Sequence, residues 1–132
     1  MTGSGWKMMT EIDGRMIELT LPWPDSALNP NAPSHWRRRQ AAKVLARETA
    51  MILAMETGVK LNTEEELSLT LCFCPPDRRR RDLDNLLSSE KQQIDSVCQV
   101  VGVDDSQIRR IILEWGDVVA DGEVHLKLEV AE

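Results

Sequence analysis

A chain of 132 residues has the length of one compact domain and little room for a second core. Apolar residues make up 42% of it and the charged ones are dispersed, which excludes a low-complexity protein; one domain is expected over 15–132, with disordered or extended chain over 1–14. The net charge of −6 argues against a uniformly basic nucleic-acid binder. No stretch has the form of a signal sequence or the ~20 apolar residues of a membrane span, so a cytoplasmic protein without a membrane partner is expected.

Over 16–22, Ile17, Leu19 and Leu21 recur with the period of a half-buried strand, which Pro22 and Pro24 end. Residues 24–34 are rich in Pro, Asn and Ser and predict an irregular loop, with Ser34 as the N-cap of a helix. From there to about Glu56, Ala41, Val44, Leu45, Met51, Ile52 and Met55 recur at helical spacing and predict a buried stripe. Arg37, Arg38 and Arg39 lie near the start of this helix. Arg39, Lys43 and Arg47 follow at intervals of four, a row of cations that can track phosphates or form an ordinary solvated face.

Residues 66–74 alternate, with Leu67, Leu69, Leu71 and Phe73 against Ser68, Thr70, Cys72 and Cys74, and predict a second strand. After Asp82, the residues Leu83, Leu86, Leu87, Ile94, Val97, Cys98 and Val101 predict a second helix ended by Gly102. Ser88-Ser89-Glu90 interrupts its apolar stripe, and Ser89 and Gln92 have the spacing of a capping box, so the helix is expected to break or restart there. Arg109, Ile111, Leu113 and Trp115 predict a third strand. Asp121-Gly122 predicts a tight turn, and Val124, Leu126, Leu128 and Val130 a fourth strand paired to the third as a hairpin. The order βαβαββ implies an α+β fold, a mixed sheet of about four strands with two main helices mostly on one face.

Three cysteines, Cys72, Cys74 and Cys98, are odd in number and lack Cys-x-x-Cys spacing. With only His35 and His125 as further ligands, they predict reduced, structural thiols rather than a zinc site. The basic residues are concentrated. Nine of the sixteen fall in three clusters: Arg37 to Arg39; Arg78, Arg79, Arg80 and Arg81; and Arg109 with Arg110. A locally positive surface on an acidic protein is therefore expected.

The chemistry gathers in Asp77-Arg-Arg-Arg-Arg-Asp82-Leu83-Asp84-Asn85, where a strand gives way to a helix. Two carboxylates two residues apart can turn toward a hard cation such as Mg²⁺, which takes oxygen ligands and keeps several waters. Adjacent arginines would hold a phosphate, as phosphodiester hydrolysis requires. The plain alternative is a charged, solvated turn with Asp84 helping to cap the helix.

The segment Leu21-Pro22-Trp23-Pro24, the run from Pro76 through Asp82-Leu83-Asp84-Asn85-Leu86, and Asp104-Asp105-Ser106-Gln107-Ile108 resemble, in that order, the pattern of the RusA family of Holliday junction resolvases. The resemblance spans about residues 17–130, and the middle run is its specific part. It implies a bacterial or phage-encoded homodimer that uses Mg²⁺, or Mn²⁺, to nick four-way DNA junctions symmetrically in recombination and repair. Asp82, Asp84 and Asp105 match its three catalytic, metal-binding acids. The family pattern also has a functional lysine four residues after the second Asp, where this chain has Ser88. Lys91 lies seven residues after Asp84, within roughly 60° of the same helical side, and is expected to serve instead.

About 18 helical residues between Asp84 and Asp105 would separate them by about 27 Å along a straight axis. Either the break at Ser88–Glu90 bends the chain back, or the third acid comes from a partner subunit across a two-fold axis. The alternative function is a junction-binding relative of prophage origin, weakened or inactive because its lysine is displaced. A nuclease without junction preference and a protein-binding adaptor with an acidic surface are further alternatives.

Overall fold

The computed structural model describes residues 14–33 and 35–131. In chain order it contains β1 (Met16–Pro22), α1 (Trp36–Thr57), β2 (Leu67–Cys74), α2 (Leu83–Ser89), α3 (Lys91–Val101), β3 (Ile108–Trp115) and β4 (Glu123–Val130). Short 3-10 turns at Ser26–Leu28 and Asp105–Gln107 complete it. This is the expected α+β order, with the second helix in two pieces. Residues 1–13 and Ser34 lie outside the described residues; the observed N-cap of α1 is His35, whose Nδ1 accepts the Arg37 N–H at 3.2 Å.

The alternation of β1, β2 and β4 buries one face of a four-stranded sheet, with Ile17, Leu21, Leu67, Leu69, Leu71, Phe73, Val124, Leu126 and Leu128 each 2% exposed or less. The strand order is β1-β4-β2-β3; β4 runs antiparallel to both β1 and β2, and β3 runs parallel to β2 after the α2–α3 crossover. The hairpin expected between β3 and β4 does not form. Four buried apolar residues place β4 inside the sheet, whereas β3, with Arg109, Arg110 and Glu114 exposed, has the chemistry of an edge. Asp121 and Gly122 do make a tight turn, with φ of 67° and 71°. Before that turn the chain crosses the end of β2, where Gly116 N–H donates to Phe73 O and Val119 N–H to Pro75 O. The turn therefore feeds β4 back beside β2.

The stripe expected on α1 is also corrected. Ala42, Ala50 and Ala54 are the buried residues of this helix, while Val44, Leu45, Ile52 and Met55 are 46 to 64% exposed. Alanine and serine at the contacts allow close approach of α1 to α3, where Ser96 Oγ donates to Arg47 O at 3.0 Å. Large apolar side chains are thereby left on the outer side of α1.

The second helix breaks at Glu90, as its sequence pattern suggests, but without a capping box there: Ser89 Oγ donates to Asn85 O, and Glu90 caps α3 with no side-chain bond. Glu90 is 0% exposed, and neither carboxyl oxygen has a hydrogen-bond partner among the described residues. Burial pushes its pKa up to about 8.

Candidate nucleic-acid interface and acidic site

β2 ends at Cys74, and Pro75-Pro76 stops the ladder because proline lacks the N–H needed to continue it. Asp77 then organises the arginine run. Its Oδ1 accepts the Arg79 N–H at 2.9 Å, and its carboxylate pairs with Arg79 at 3.0 Å and Arg81 at 2.9 Å. The Arg79 backbone bond and these guanidinium contacts hold its pKa down at about 2. Arg81 turns inward: its side chain is 17% exposed, its guanidinium lies 5.3 Å from the Trp23 ring centre, and Trp23 meets Phe73 edge-on at 6.2 Å. A side chain at Gly122 would collide with Trp23 and Pro76, both 2.9 Å from its Cβ position, so the turn before β4 braces the same loop. Arg78 and Arg80 remain on the exposed outer side of the run.

The loop delivers Asp82 to the N-cap of α2 and Asp84 to its first turn. Both are exposed, and neither carboxylate has a hydrogen-bond or ion-pair partner among the described residues. Asp82 borders an open cleft of about 680 Å³ with Arg79, Arg80, Arg81, Asn85 and Trp23. Paired cations thus face an acid that no cation neutralises. The cleft sets guanidinium groups beside an unpartnered carboxylate.

Lys91 and Asp105 meet elsewhere. Lys91 Nζ lies 3.7 Å from Asp105 Oδ2 and 3.3 Å from Asp95, in a depression that Ser88, Ile94, Ile108 and Ile111 also line. Asp105 is held there by a capping box in which Asp104 accepts the Ser106 N–H and Gln107 accepts the Asp104 N–H. The Gln107 amide in turn donates to Thr63 O and Glu65 O at 2.9 Å. Asp84 and Ser88 lie one turn apart on α2, with Ser88 Oγ donating to Asp84 O at 3.2 Å. Ser88 therefore stands between Asp84 and the Lys91–Asp105 pair.

Asp82, Asp84 and Asp105 do not bring their carboxylate oxygens within 4.8 Å of one another. Among the described residues, the only group of three or more His, Cys, Asp or Glu whose ligand atoms all lie within 4.8 Å of one another is Cys74, Glu123 and His125. Asp82 and Asp84, as unpartnered oxygen donors, suit an ion such as Mg²⁺ that retains waters and takes one or two carboxylates plus phosphate oxygens. Asp105 lines a different depression, with Lys91 and Ser88.

Part of the cation row on α1 is committed to the fold. Arg39 donates to Ala32 O at 2.9 Å, Arg47 to Gln92 Oε1 at 2.6 Å, and Arg38 pairs with Asp25 at 3.1 Å. Arg37 is exposed and Lys43 half-buried. Sequence reasoning missed Asp77 and Trp23 as organisers of the arginine loop. An acid two and four residues before arginines, after a Pro-Pro stop, is the signal that marks Asp77.

No family model matches the chain. An uncharacterized protein of Xylella fastidiosa is 40% identical over 94 residues, which are 69% of this chain and 61% of the relative. The chain thus spans about three-fifths of that relative's length.

Proposed function

We propose that this chain binds branched DNA and cleaves it as a metal-dependent endonuclease of the RusA type, acting as a homodimer on four-way junctions in a bacterial cytoplasm. The observation that carries the reading is the pairing of two unpartnered acids, Asp82 and Asp84, with an arginine loop fixed at its base by Asp77 and Trp23. Bound Mg²⁺ or Mn²⁺ would supply polarisation of the phosphoryl oxygen and an activated water. Asp82 and Asp84 would hold that ion. Arg78, Arg79 and Arg80 would take the flanking phosphates, with Arg37 and Lys43 extending the contact along α1, while Arg81 keeps the loop in place. Lys91 would stabilise negative charge on the phosphate in the transition state, with Asp105 orienting its ammonium.

Asp82 and Asp105 line different depressions, which favours a two-fold partner that completes the acid set. The β3 edge carries the exposed side chains Ile111 and Trp115 and borders the Lys91–Asp105 depression. A second copy docked there would bring its own acids toward Asp105. The deciding experiment is incubation of purified protein with labelled four-way junction and matched linear duplex, with and without Mg²⁺. Paired nicks in the junction alone, dependent on the ion, are expected. Equal cutting of both substrates would indicate a nuclease without junction preference, and tight junction binding without cutting would indicate a binding protein that has lost activity.

A further inference from the structure

We infer that Cys72, Cys74, Glu123 and His125 form a site for a thiophilic divalent ion of the Zn²⁺ class, on the face of the sheet opposite the helices. In the antiparallel pairing of β2 with β4, Cys72 stands opposite His125 and Cys74 opposite Glu123. Residues two apart on a strand point to the same side, and directly opposed residues have Cβ atoms about 5 Å apart, so the ladder itself gathers all four side chains. The ligand atoms of Cys74, Glu123 and His125 already lie within 4.8 Å of one another. Cys72 lies outside that group, but its side chain hydrogen-bonds with that of Cys74. A Cβ on Gly116 would sit 2.5 Å from the Cys74 sulfur and 2.9 Å from the Cys72 sulfur, which places both thiols around one point and explains why this crossing residue is glycine.

Two thiols, an imidazole and a carboxylate are a donor set that zinc takes in tetrahedral geometry, whereas Mg²⁺ prefers oxygen alone. The imidazole is already held beside the carboxylate. Nδ1 of His125 lies 3.5 Å from Thr20 Oγ1 on β1, while Nε2 faces Glu123 Oε2 at 2.7 Å. Without a metal, Nε2–H donates to the Glu123 carboxylate and Nδ1 accepts from the Thr20 hydroxyl; on binding an ion the proton would leave Nε2, which together with Glu123 would face the metal. Glu123 and Asp117 add negative charge beside the Cys74 thiol, and a cation at the centre would be drawn to it and release the thiol protons. An ion here would tie the end of β2, where the arginine loop begins, to the start of β4.

The test is titration of the reduced full-length protein with Co²⁺, read by the thiolate-to-cobalt charge-transfer band and the visible bands of tetrahedral cobalt. One Co²⁺ per chain is expected, displaced by Zn²⁺ and not by a large excess of Mg²⁺. His125→Asn and Cys72→Ser, checked for wild-type circular dichroism, should each weaken binding about tenfold or more, whereas Cys98→Ser and Asp82→Asn should leave the band unchanged. Absence of a thiolate band overturns the inference. So does a band that survives both His125→Asn and Cys72→Ser, or one lost in Cys98→Ser. Because Asp82 lies outside the cluster, the outcome is independent of the junction-cleavage assay.

Discussion

Lys91 and Asp105 belong to separate elements, the start of α3 and the 3-10 turn after its end, yet the ammonium lies 3.7 Å from the carboxylate. The break at Glu90 makes Lys91 the first residue of α3. An exposed ion pair of this length contributes little to stability, so its interest lies in placing a cation beside an acid of the proposed site. Lys91→Ala should leave the fold and junction affinity intact and lower the single-turnover cleavage rate by about two orders of magnitude. Wild-type cleavage by this variant, with faster cleavage by Ser88→Lys, would show that Lys91 is not the group that acts.

Asp82→Asn and Asp84→Asn should each abolish cleavage while junction binding is unchanged or tighter. Each removes a metal ligand and also a negative charge that repels phosphate. Gel-shift and cleavage assays on the same preparations separate the two effects, and wild-type turnover in either variant would remove that residue from the site.

Asp77 makes a prediction of opposite sense to its charge. Simple electrostatics would have Asp77→Ala bind DNA more tightly. Since its carboxylate holds both Arg79 and Arg81, loss of the loop's order should instead weaken junction binding. Arg80→Ala should weaken binding and lower the salt slope by about one released counterion. Arg81→Ala should act mainly on stability, through the lost contacts with Trp23 and Asp77, and thermal melting would distinguish the two arginines. An unchanged salt slope in Arg80→Ala would place that residue away from DNA.

Glu90 should make folding stability fall with pH. Its folded pKa of about 8 exceeds the ordinary value of 4.5, so between these values the folded state keeps a proton that the unfolded state has released. The stability present below the lower value is lost progressively as pH rises through the upper one. Glu90→Gln should abolish this decline and be the more stable protein at pH 8, by an amount on the order of several kcal/mol. Urea unfolding at pH 5 and pH 8 measures it; parallel pH dependence in both proteins would rule out a buried, neutral Glu90.

If the dimer forms on the β3 edge, Ile111→Lys with Trp115→Arg should yield monomers in sedimentation and lose paired nicking. Leu45→Glu with Ile52→Glu on the outer face of α1 should not. The reverse result would move the interface to α1.

Periodicity made most of the fold legible, because β1, β2 and β4 each bury one face and leave an unambiguous alternation. It failed where burial and residue size part company. On α1 the inward ladder is Ala42, Ala46, Ala50 and Ala54, whose small side chains give a weak signal, while Val44, Leu45, Ile52 and Met55 give a strong one on the outer face. The hairpin expectation failed because Asp121-Gly122 specifies a turn and says nothing about which strand lies beyond it. Of the candidate site, the acids, the arginines and the break at Glu90 could be read from one stretch of chain. The Cys72–His125 and Cys74–Glu123 pairs could not, since they exist only in the register of β2 with β4.

The interior position of β4 fixes an order of events in folding. β1 and β2 have no hydrogen bonds to each other in the sheet and meet only through β4, the last strand in the chain. On the ribosome, the earlier strands must therefore wait with open edges until β4 emerges, and the loop-closure entropy of its distant pairing with β1 is met only then. That interval is when the chain is most exposed to edge-to-edge aggregation.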